Sequence, residues 1–223
     1  MISIKQHITE LTFDQPLNLK TRSHHLRGAI GNLLRNNYLF HQHDSDGKPV
    51  YRYPLIQYKL LNEKGYIIGL AEGAESLAEI KLLGSTLVMG KTSYEVVRQQ
   101  TSYSMVDAGY STNLFLYEFI TPWIALNKKN FEQYQKIGHQ FRRKNLLAKI
   151  LTGNLLSMSK GIGYSATNPI YSEIDDFEEV NTTLKGNPMV GFLARFSTNF
   201  LIPDLWGLGK SVSRGFGVVE GFH

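Results

Sequence analysis

The 223-residue chain contains no cysteine, which excludes disulfide frameworks, thiolate zinc sites and cysteine nucleophiles. It has no run approaching the ~18 apolar residues that a helix needs to cross a bilayer. Its start, MISIKQHITELTF, has neither the basic nor the apolar region of a signal peptide. We therefore expect a cytoplasmic protein with no membrane segment. Hydrophobic residues make up 42% of the chain, enough for a real core, which excludes a disordered tail.

Several catalytic signatures are missing as well. The chain has no G-x-S-x-G nucleophile elbow, no H-E-x-x-H zinc motif and no distinctive pair of carboxylates. The sequence thus offers no support for an α/β-hydrolase, a zincin or a glycosidase.

The formal net charge is +5, and the positive charge is unevenly distributed. Residues 128–160 contain eight basic residues and one acidic residue, whereas residues 171–180 contain five acidic residues and no basic one. This pattern predicts a charged face with its own acidic counterweight. Such a face can bind an anionic partner, and it is equally typical of a solvated helix.

The first half of the chain alternates between strand and helix patterns. Apolar residues at steps of three and one after Ser23, which we expect to be the N-cap, predict an amphipathic helix. The predicted elements are a strand over 2–13, this helix, extended stretches at 50–60 and 65–71, a helix at 73–82 and one or two strands within 85–98. The order is that of a split βαβ unit, β-α-β-β-α-β.

The second half repeats the theme. The predicted elements are a strand within 113–126, a long helical region from 131 to 156 closed by Gly161 and Gly163, a hairpin of 169–184 with 189–200, and a last strand within 215–222. We therefore predict an α+β protein made of two tandem ferredoxin-like (RRM-like) domains with a C-terminal glycine-rich loop, divided into residues 1–110 and 111–223.

A His-x-His pair follows the first predicted helix. His41 and His43 lie on the same side of an extended segment and can converge on one small group. Two imidazoles suit proton transfer near neutral pH, and with Asp44 or Asp46 they equally suit a divalent metal. Two exposed loop histidines are the simpler explanation of so short a spacing.

A glycine-rich run, Gly207-Leu-Gly-Lys-Ser-Val-Ser-Arg-Gly-Phe-Gly217, stands near the C-terminus. Glycines let backbone N–H groups approach an anion, and basic and hydroxyl side chains add charge and donors. The candidate RNA-binding residues here are Gly207, Gly209, Lys210, Ser211, Ser213, Arg214, Gly215 and Gly217. The run satisfies neither the Walker pattern nor the dinucleotide pattern, so a phosphodiester suits it better than a nucleotide cofactor. A glycine-rich hairpin entry is the structural alternative.

A third candidate is the basic helix with Arg142, Arg143 and Lys144. Three consecutive residues spread over more than half of a helix circumference, so some of them point outward whichever face is buried. We include these three side chains among the predicted RNA contacts.

Together these stretches resemble CRISPR-associated endoribonucleases that process precursor CRISPR RNA, members of the repeat-associated mysterious protein superfamily. The resemblance rests on HHLRGAIGNLLRNNYLFHQHD, YRYPLIQYKLL and GLAEGAESL in the first half, and on FITPWIALN, KNLLAKILTGNLLSMSKGIG and NFLIPDLWGLGKSVSRGFG in the second. It covers nearly the whole chain, and the subtype of type I-B-like systems, with a His-x-His pair after the first helix, is the most similar.

The resemblance implies metal-independent cleavage within CRISPR repeat RNA, with no cofactor. A ribose 2′-hydroxyl attacks the adjacent phosphate and leaves 2′,3′-cyclic phosphate and 5′-hydroxyl ends. It assigns proton transfer to His41 and His43, with Tyr51 or Arg35 as helpers, and RNA binding to the glycine-rich loop and the basic helix.

The sequence leaves two other functions open. One is a non-catalytic RNA-binding subunit of a CRISPR effector complex, and the other is a metal-dependent hydrolase that uses His41, His43 and Asp44. Other effector-complex subunits as partners are also left open. Homodimers are common among relatives, yet no heptad or self-complementary patch indicates one here.

Overall fold

The computed structural model describes residues 1–34 and 53–222. The chain forms two compact units. The N-terminal unit comprises Ile4–Val106 together with the short segment Ser213–Gly215. The C-terminal unit comprises Met1–Ser3 and the chain from Asp107 onward, apart from that short segment.

The N-terminal unit is an antiparallel sheet covered by two helices. Its elements are β1 (Ile2–Phe13), α1 (Ser23–Leu33), β2 (Ile56–Leu61), β3 (Lys64–Leu70), α2 (Glu72–Ala78), β4 (Thr86–Met89) and the first part of β5 (Thr92–Phe119). The strand order is β2-β3-β1-β5, and β4 forms a hairpin with β5. This is the order of a ferredoxin-like sheet.

The core of this unit lies between the sheet and α1. The helix buries Leu26, Ala29 and Ile30, which share one helix face because they are three and four residues apart. They pack with Leu11 of β1 and Tyr58 of β2 in one buried cluster. Burial of this apolar face fixes how α1 sits on the sheet.

The C-terminal unit repeats the arrangement with one change. Its elements are the second part of β5, α3 (Lys128–Lys136), α4 (Gln140–Gly161), β6 (Ser172–Leu184), β7 (Asn187–Leu201) and β8 (Val219–Gly221). β5 pairs with β7 and with β8, and β7 pairs with β6, all antiparallel. Between β7 and β8, where a second helix would stand, the chain forms a loop with a single 3₁₀ turn, Val212–Arg214.

The α4 helix and an aromatic cluster form the core of the C-terminal unit. Leu147, Leu151 and Leu155 of α4 are fully buried at a spacing of four residues. Trp123 stacks on Phe119 with ring centroids 4.9 Å apart and an interplanar angle of 9°. Offset aromatic stacking of this kind adds to the stabilisation from apolar burial.

The predicted fold class is confirmed, with two local differences. Ser23 is the first residue of α1 and Arg22 is its N-cap, so the expectation that Ser23 caps the helix is wrong. The helical region predicted as continuous is broken at Ile137, which is extended, and at Gly138, a poor helix former. The sequence contains no low-complexity linker, and β5 accordingly runs unbroken through residues 106 and 107, at the border of the two units.

Within the part of the chain that the structure describes, no helix is both long enough and apolar enough to span a membrane.

Lys59 is a fully buried lysine in β2. Its ammonium group donates to Gln57 Oε1 at 2.8 Å, and Gln57 Nε2 donates to the Tyr53 hydroxyl at 3.0 Å. Burial lowers the pKa of Lys59 from 10.5 to about 7 because the charged form is poorly solvated there. The folded protein therefore releases this proton at a pH where the unfolded chain still holds it.

This difference predicts pH-dependent stability. Between pH about 7 and 10.5 the unfolded chain binds one more proton at Lys59 than the folded protein does, so the free energy of unfolding rises with pH. The contribution reaches at most about 1.4 kcal/mol per pH unit. We expect Lys59→Met to remove this rise, measured by urea unfolding at pH 7, 8.5 and 10. Lys81→Met, at an exposed position, is the control and should leave the rise unchanged. Equal pH dependence in Lys59→Met and wild type would contradict the assignment.

Candidate nucleic-acid interface

The four residues predicted to carry out or assist proton transfer, Arg35, His41, His43 and Tyr51, lie outside the described residues, as does Asp44. Their roles therefore stay predictions. Among the described residues, the candidates are the glycine-rich loop, the start of α1 in the N-terminal unit and the basic helix in the C-terminal unit.

The base of the glycine-rich loop is a pair of chain segments in the C-terminal unit. Leu208 N–H donates to the Gly217 carbonyl at 2.8 Å, and Gly207 forms a bridge with Val218. These contacts bring the two ends of the loop together. The hairpin-like entry that the sequence left as an alternative is thus present, and Lys210 to Phe216 form the part of the loop beyond it.

Gly209 allows the loop to pack closely on Trp123. Its φ is +87°, and a methyl group at this position would lie 2.5 Å from Trp123 Nε1. The indole is itself fixed, because Nε1 donates to Asn154 Oδ1 on α4 at 2.9 Å. The next residue, Lys210, has an exposed side chain, while its backbone N–H donates to the Ile124 carbonyl at 3.3 Å. The loop therefore presents a lysine from a backbone that cannot shift freely.

The segment Ser213–Gly215 belongs to the N-terminal unit, where it lies against the start of α1. Gly215 has φ +83°, and a methyl group there would lie 2.2 Å from Ser23 Oγ and 3.1 Å from the Tyr58 carbonyl oxygen. Ser23 Oγ accepts a hydrogen bond from Leu60 N–H at 3.0 Å, so it is held in place by β2. Only glycine fits here, and this close approach places Arg214 beside the first turns of α1.

The first turns of α1 contain several basic residues and no acidic one: Arg22, His24, His25 and Arg27. Arg22 and His25 form hydrogen bonds that stabilise the start of the helix itself. Arg22 N–H donates to His25 Nδ1 at 3.1 Å, so His25 takes the place that a glutamate holds in a capping box. The Arg22 guanidinium donates to the carbonyls of Thr21, at 3.0 Å, and of Leu19.

Arg214 influences both His24 and Arg27 electrostatically. Burial lowers the pKa of His24, and the positive charges of His25, Arg214 and Arg22 lower it further. Burial also lowers the pKa of Arg27, and Arg214 contributes in the same direction. The loop therefore adds positive charge near the first turns of α1.

The basic helix α4 is partly neutralised by the acidic strand β6. Arg143 pairs with Glu179 at 3.0 Å, donates from Nε to the Ile137 carbonyl at 2.9 Å, and lies over the Tyr134 ring. Lys144 donates to the Asp175 backbone carbonyl. The Arg142 side chain is exposed. The acidic counterweight expected from the sequence is therefore in direct contact with the helix.

The predicted RNA-binding residues thus differ in solvent exposure. Lys210 and Arg142 are exposed, Ser211 and Arg214 are half-buried, and Ser213 is buried at 6% exposure. His24 and Arg27 were missed in the sequence analysis. The signal that could have found them is their i, i+3 spacing in the first turns of a helix, where positive charge is unfavourable.

Two family matches together span nearly the whole chain. Residues 4–107 match the Cas6b N-terminal domain, and residues 109–222 match the Cas6b C-terminal domain. The border between the two matches falls at the border between the two compact units.

Solved structures agree with these matches. The chain is similar to the solved structure "Crystal structure of Cas6b", with 30% sequence identity and a TM-score of 0.89. The similarity covers 99% of this chain and 100% of that one. It is similar to "Crystal structure of CRISPR RNA processing endoribonuclease Cas6b", with 30% identity and a TM-score of 0.77 over 98% and 100%. It is also 40% identical to an uncharacterized protein of Methanocaldococcus jannaschii over 126 residues, which are 56% of this chain and 85% of that protein.

The contact between Gly215 and Ser23 gives a prediction about stability. Gly215→Ala must tolerate both a positive φ and a clash with a fixed hydroxyl, whereas Gly84→Ala meets a positive φ of +75° and no atom within 4 Å. Both variants carry the cost of a positive φ, and only Gly215→Ala adds overpacking, which costs about 1–3 kcal/mol. We therefore expect the free energy of unfolding to be lower in Gly215→Ala than in Gly84→Ala by about 1–3 kcal/mol. Urea unfolding measures both, and equal losses would show that the contact with Ser23 contributes nothing.

Proposed function

The chain belongs to the Cas6b family, and on that premise we propose that it is an endoribonuclease that cleaves precursor CRISPR RNA within its repeats. The observation that carries this proposal is the match to both domains of the family along the length of the chain. The exposed Lys210 and the basic cluster at α1 support it, because a cleaved RNA is a polyanion and must be held by positive charge.

The proposed reaction is an RNA transesterification. The 2′-hydroxyl of one nucleotide attacks the phosphorus of the adjacent phosphodiester, and the bond from phosphorus to the 5′-oxygen breaks. The products are a 2′,3′-cyclic phosphate and a 5′-hydroxyl. Because the nucleophile is already tethered beside its target, the protein has to orient the phosphodiester rather than bring a second reactant to it.

Three chemical tasks remain for protein groups. One group removes the proton of the 2′-hydroxyl, a second donates a proton to the leaving 5′-oxygen, and positive groups stabilise the charge on the phosphorane. We assign the two proton transfers to His41 and His43, with Tyr51 or Arg35 as helpers. This assignment follows from the family resemblance and from the suitability of imidazole for proton transfer near neutral pH.

The RNA backbone would be held by the exposed and half-buried basic groups of the loop. Lys210 stands on the part of the loop fixed by Trp123, and Arg214 on the part fixed by Ser23. On α4, Arg142 is the exposed member of the basic run, whereas Arg143 is paired with Glu179. We therefore assign direct phosphate contact to Lys210, Arg214 and Arg142, and a structural role to Arg143.

The partner of this reaction is the repeat RNA, and we place the reaction in the cytoplasm, where such precursors are transcribed. Phosphate contacts position an RNA but do not read its sequence. Recognition of the repeat would therefore come from contacts to unpaired bases, the usual targets of sequence-specific RNA binding.

The mechanism is tested by cleavage of the host repeat RNA in EDTA, with and without a 2′-deoxyribose at the cleavage position. We expect cleavage in EDTA, no cleavage of the deoxy substrate, and products with a cyclic phosphate. His41→Ala and His43→Ala should each slow cleavage by about 10²–10⁴-fold, the scale of acid–base catalysis, and leave RNA binding largely intact. His139→Ala, at an exposed position in the described part of the chain, is the control for removal of an imidazole.

Two other outcomes of the cleavage assay would support the two alternative functions. Loss of cleavage in EDTA with recovery on adding a divalent metal would support a metal-dependent hydrolase with His41, His43 and Asp44. Tight binding without cleavage by the wild-type protein would support a non-catalytic RNA-binding subunit.

Salt dependence tests the assigned phosphate contacts. For a single-stranded RNA, each neutralised phosphate contributes about −0.7 to the slope of log K against log salt concentration. We expect Lys210→Ala and Arg142→Gln each to make the slope shallower by about that amount. Lys129→Ala, exposed on α3, is the control. Arg143→Gln should instead leave the slope nearly unchanged and lower the free energy of unfolding. Unchanged slopes for Lys210→Ala and Arg142→Gln would refute these contacts.

A further inference from the structure

The first turn of α4 carries an exposed aromatic ring. Phe141 is 73% exposed, although aromatic side chains contribute more to stability than most others when they are buried. A single exposed apolar residue is common on protein surfaces, so exposure alone does not indicate a site. The surroundings of Phe141 distinguish it from the other exposed aromatic residues.

The other exposed aromatic side chains of the described residues each have a partner. Tyr103 lies edge-on to His7 with ring centroids 6.3 Å apart, the Tyr171 hydroxyl donates to Glu173, and Arg195 lies over Phe222 at 5.6 Å. The Phe141 ring contacts no other ring and no cation among the described residues. Its exposure is therefore not explained by a contact within the fold.

The ring lies on a basic helix face. Phe141, Arg142, Asn145 and Lys149 are all exposed, and their spacing of three, four and seven residues places them on the side of α4 opposite the buried leucines. None of these four side chains forms a hydrogen bond or an ion pair with another described residue. α4 itself contains no acidic residue. This face therefore offers one ring, one amide and two uncompensated positive charges.

We infer that Phe141 stacks on an unpaired base of the repeat RNA, while Arg142 and Lys149 bind nearby backbone phosphates. The inference rests on the proposed function and gives one place where the repeat is recognised. Every base has a flat π-face that can cover an exposed ring, and basic groups beside the ring neutralise the phosphates that accompany the base. Asn145 is one helical turn from Phe141, so its amide can hydrogen-bond the edge of the stacked base.

The charge of the face favours RNA over a protein partner. The core of a protein–protein interface is depleted in charged residues and combines several apolar side chains. The neighbours of Phe141 in the chain are instead the exposed His139, Gln140 and Arg142. A single ring among basic and amide side chains is the combination that single-stranded nucleic acid binds.

A thermodynamic cycle between protein and RNA tests the stacking. The cleavage position is mapped with the wild-type protein and blocked by a single 2′-deoxyribose, and each other nucleotide of the repeat is then replaced in turn by an abasic one. Affinities are measured for wild type, Phe141→Ala, Phe141→Leu and Phe141→Trp. Tyr171→Ala is the matched control, because Tyr171 is an exposed aromatic residue of the same unit that is bonded to an acid of β6.

A stacked base has a specific signature. Phe141→Ala should weaken binding of the intact repeat by about 5–150-fold, the scale of one base on one ring, and leave the salt slope unchanged because no charge is removed. At one position, the abasic nucleotide should weaken wild-type binding and abolish the effect of Phe141→Ala. Phe141→Trp should retain affinity, whereas Phe141→Leu, which lacks a π-face, should lose most of it. Tyr171→Ala should bind like wild type.

The reading of the base edge has its own measurement. Asn145→Ala should reduce the differences in affinity among the four bases at the position that couples to Phe141. Equal discrimination by Asn145→Ala and wild type would remove Asn145 from the site.

Several results would overturn the inference while wild-type cleavage, and with it the proposed function, stands. Unchanged affinity in Phe141→Ala would remove the stacking, and loss of a dimer in that variant at unchanged affinity would assign the ring to an interface between copies of the chain. Equal affinities of Phe141→Leu and wild type would show that the π-face contributes nothing. An equal effect of Phe141→Ala on every abasic RNA would show that the ring contacts no single base.

The controls separate these outcomes from unfolding and from failure of the proposed function. Because Phe141 is exposed, its variants should keep the wild-type midpoint of urea unfolding. If the wild-type protein neither binds nor cleaves repeat RNA, the proposed function fails and the stacking site with it.

Discussion

The contact between the Gly215 backbone and the Ser23 side chain is the constraint that fixes the segment Ser213–Gly215 within the N-terminal unit. Ser23 is the first residue of α1, and its hydroxyl is held by the Leu60 N–H of β2. A loop residue that touches this hydroxyl is therefore placed relative to both the helix and the sheet. The absence of a Cβ at Gly215 allows the approach, and the neighbouring Arg214 is placed near the first turns of α1 as a result.

Part of the positive charge of α4 is bound within the fold. Arg143 pairs with Glu179 and lies over Tyr134, and Lys144 donates to the β6 backbone. The number of basic residues on a face is therefore a poor measure of the positive charge that the face offers to an anion.

Much of the fold could be predicted because its signals are local. Apolar residues three and four apart give α1, and the Lys185-Gly186 turn, with φ of +53° and +81°, gives the β6–β7 hairpin. The break at Gly138 has a local signal, the glycine itself, whereas the 3₁₀ turn in place of a helix depends on tertiary packing that a local pattern does not contain. The role of Gly215 was hidden for the same reason. Its partner is 192 positions earlier in the chain, so no spacing within the loop could reveal it.

The acidic strand β6 has a consequence for selectivity. A cell contains far more ribosomal and messenger RNA than any one repeat transcript. A basic helix whose charges were all unpaired would bind these RNAs as well, because attraction to phosphate does not depend on sequence. Glu179 and the Asp175 carbonyl already bind Arg143 and Lys144, so an RNA phosphate must compete with them for these two side chains. The two contacts with β6 therefore reduce non-specific RNA binding by α4. Selectivity then depends on the smaller number of basic groups that are not bound in this way.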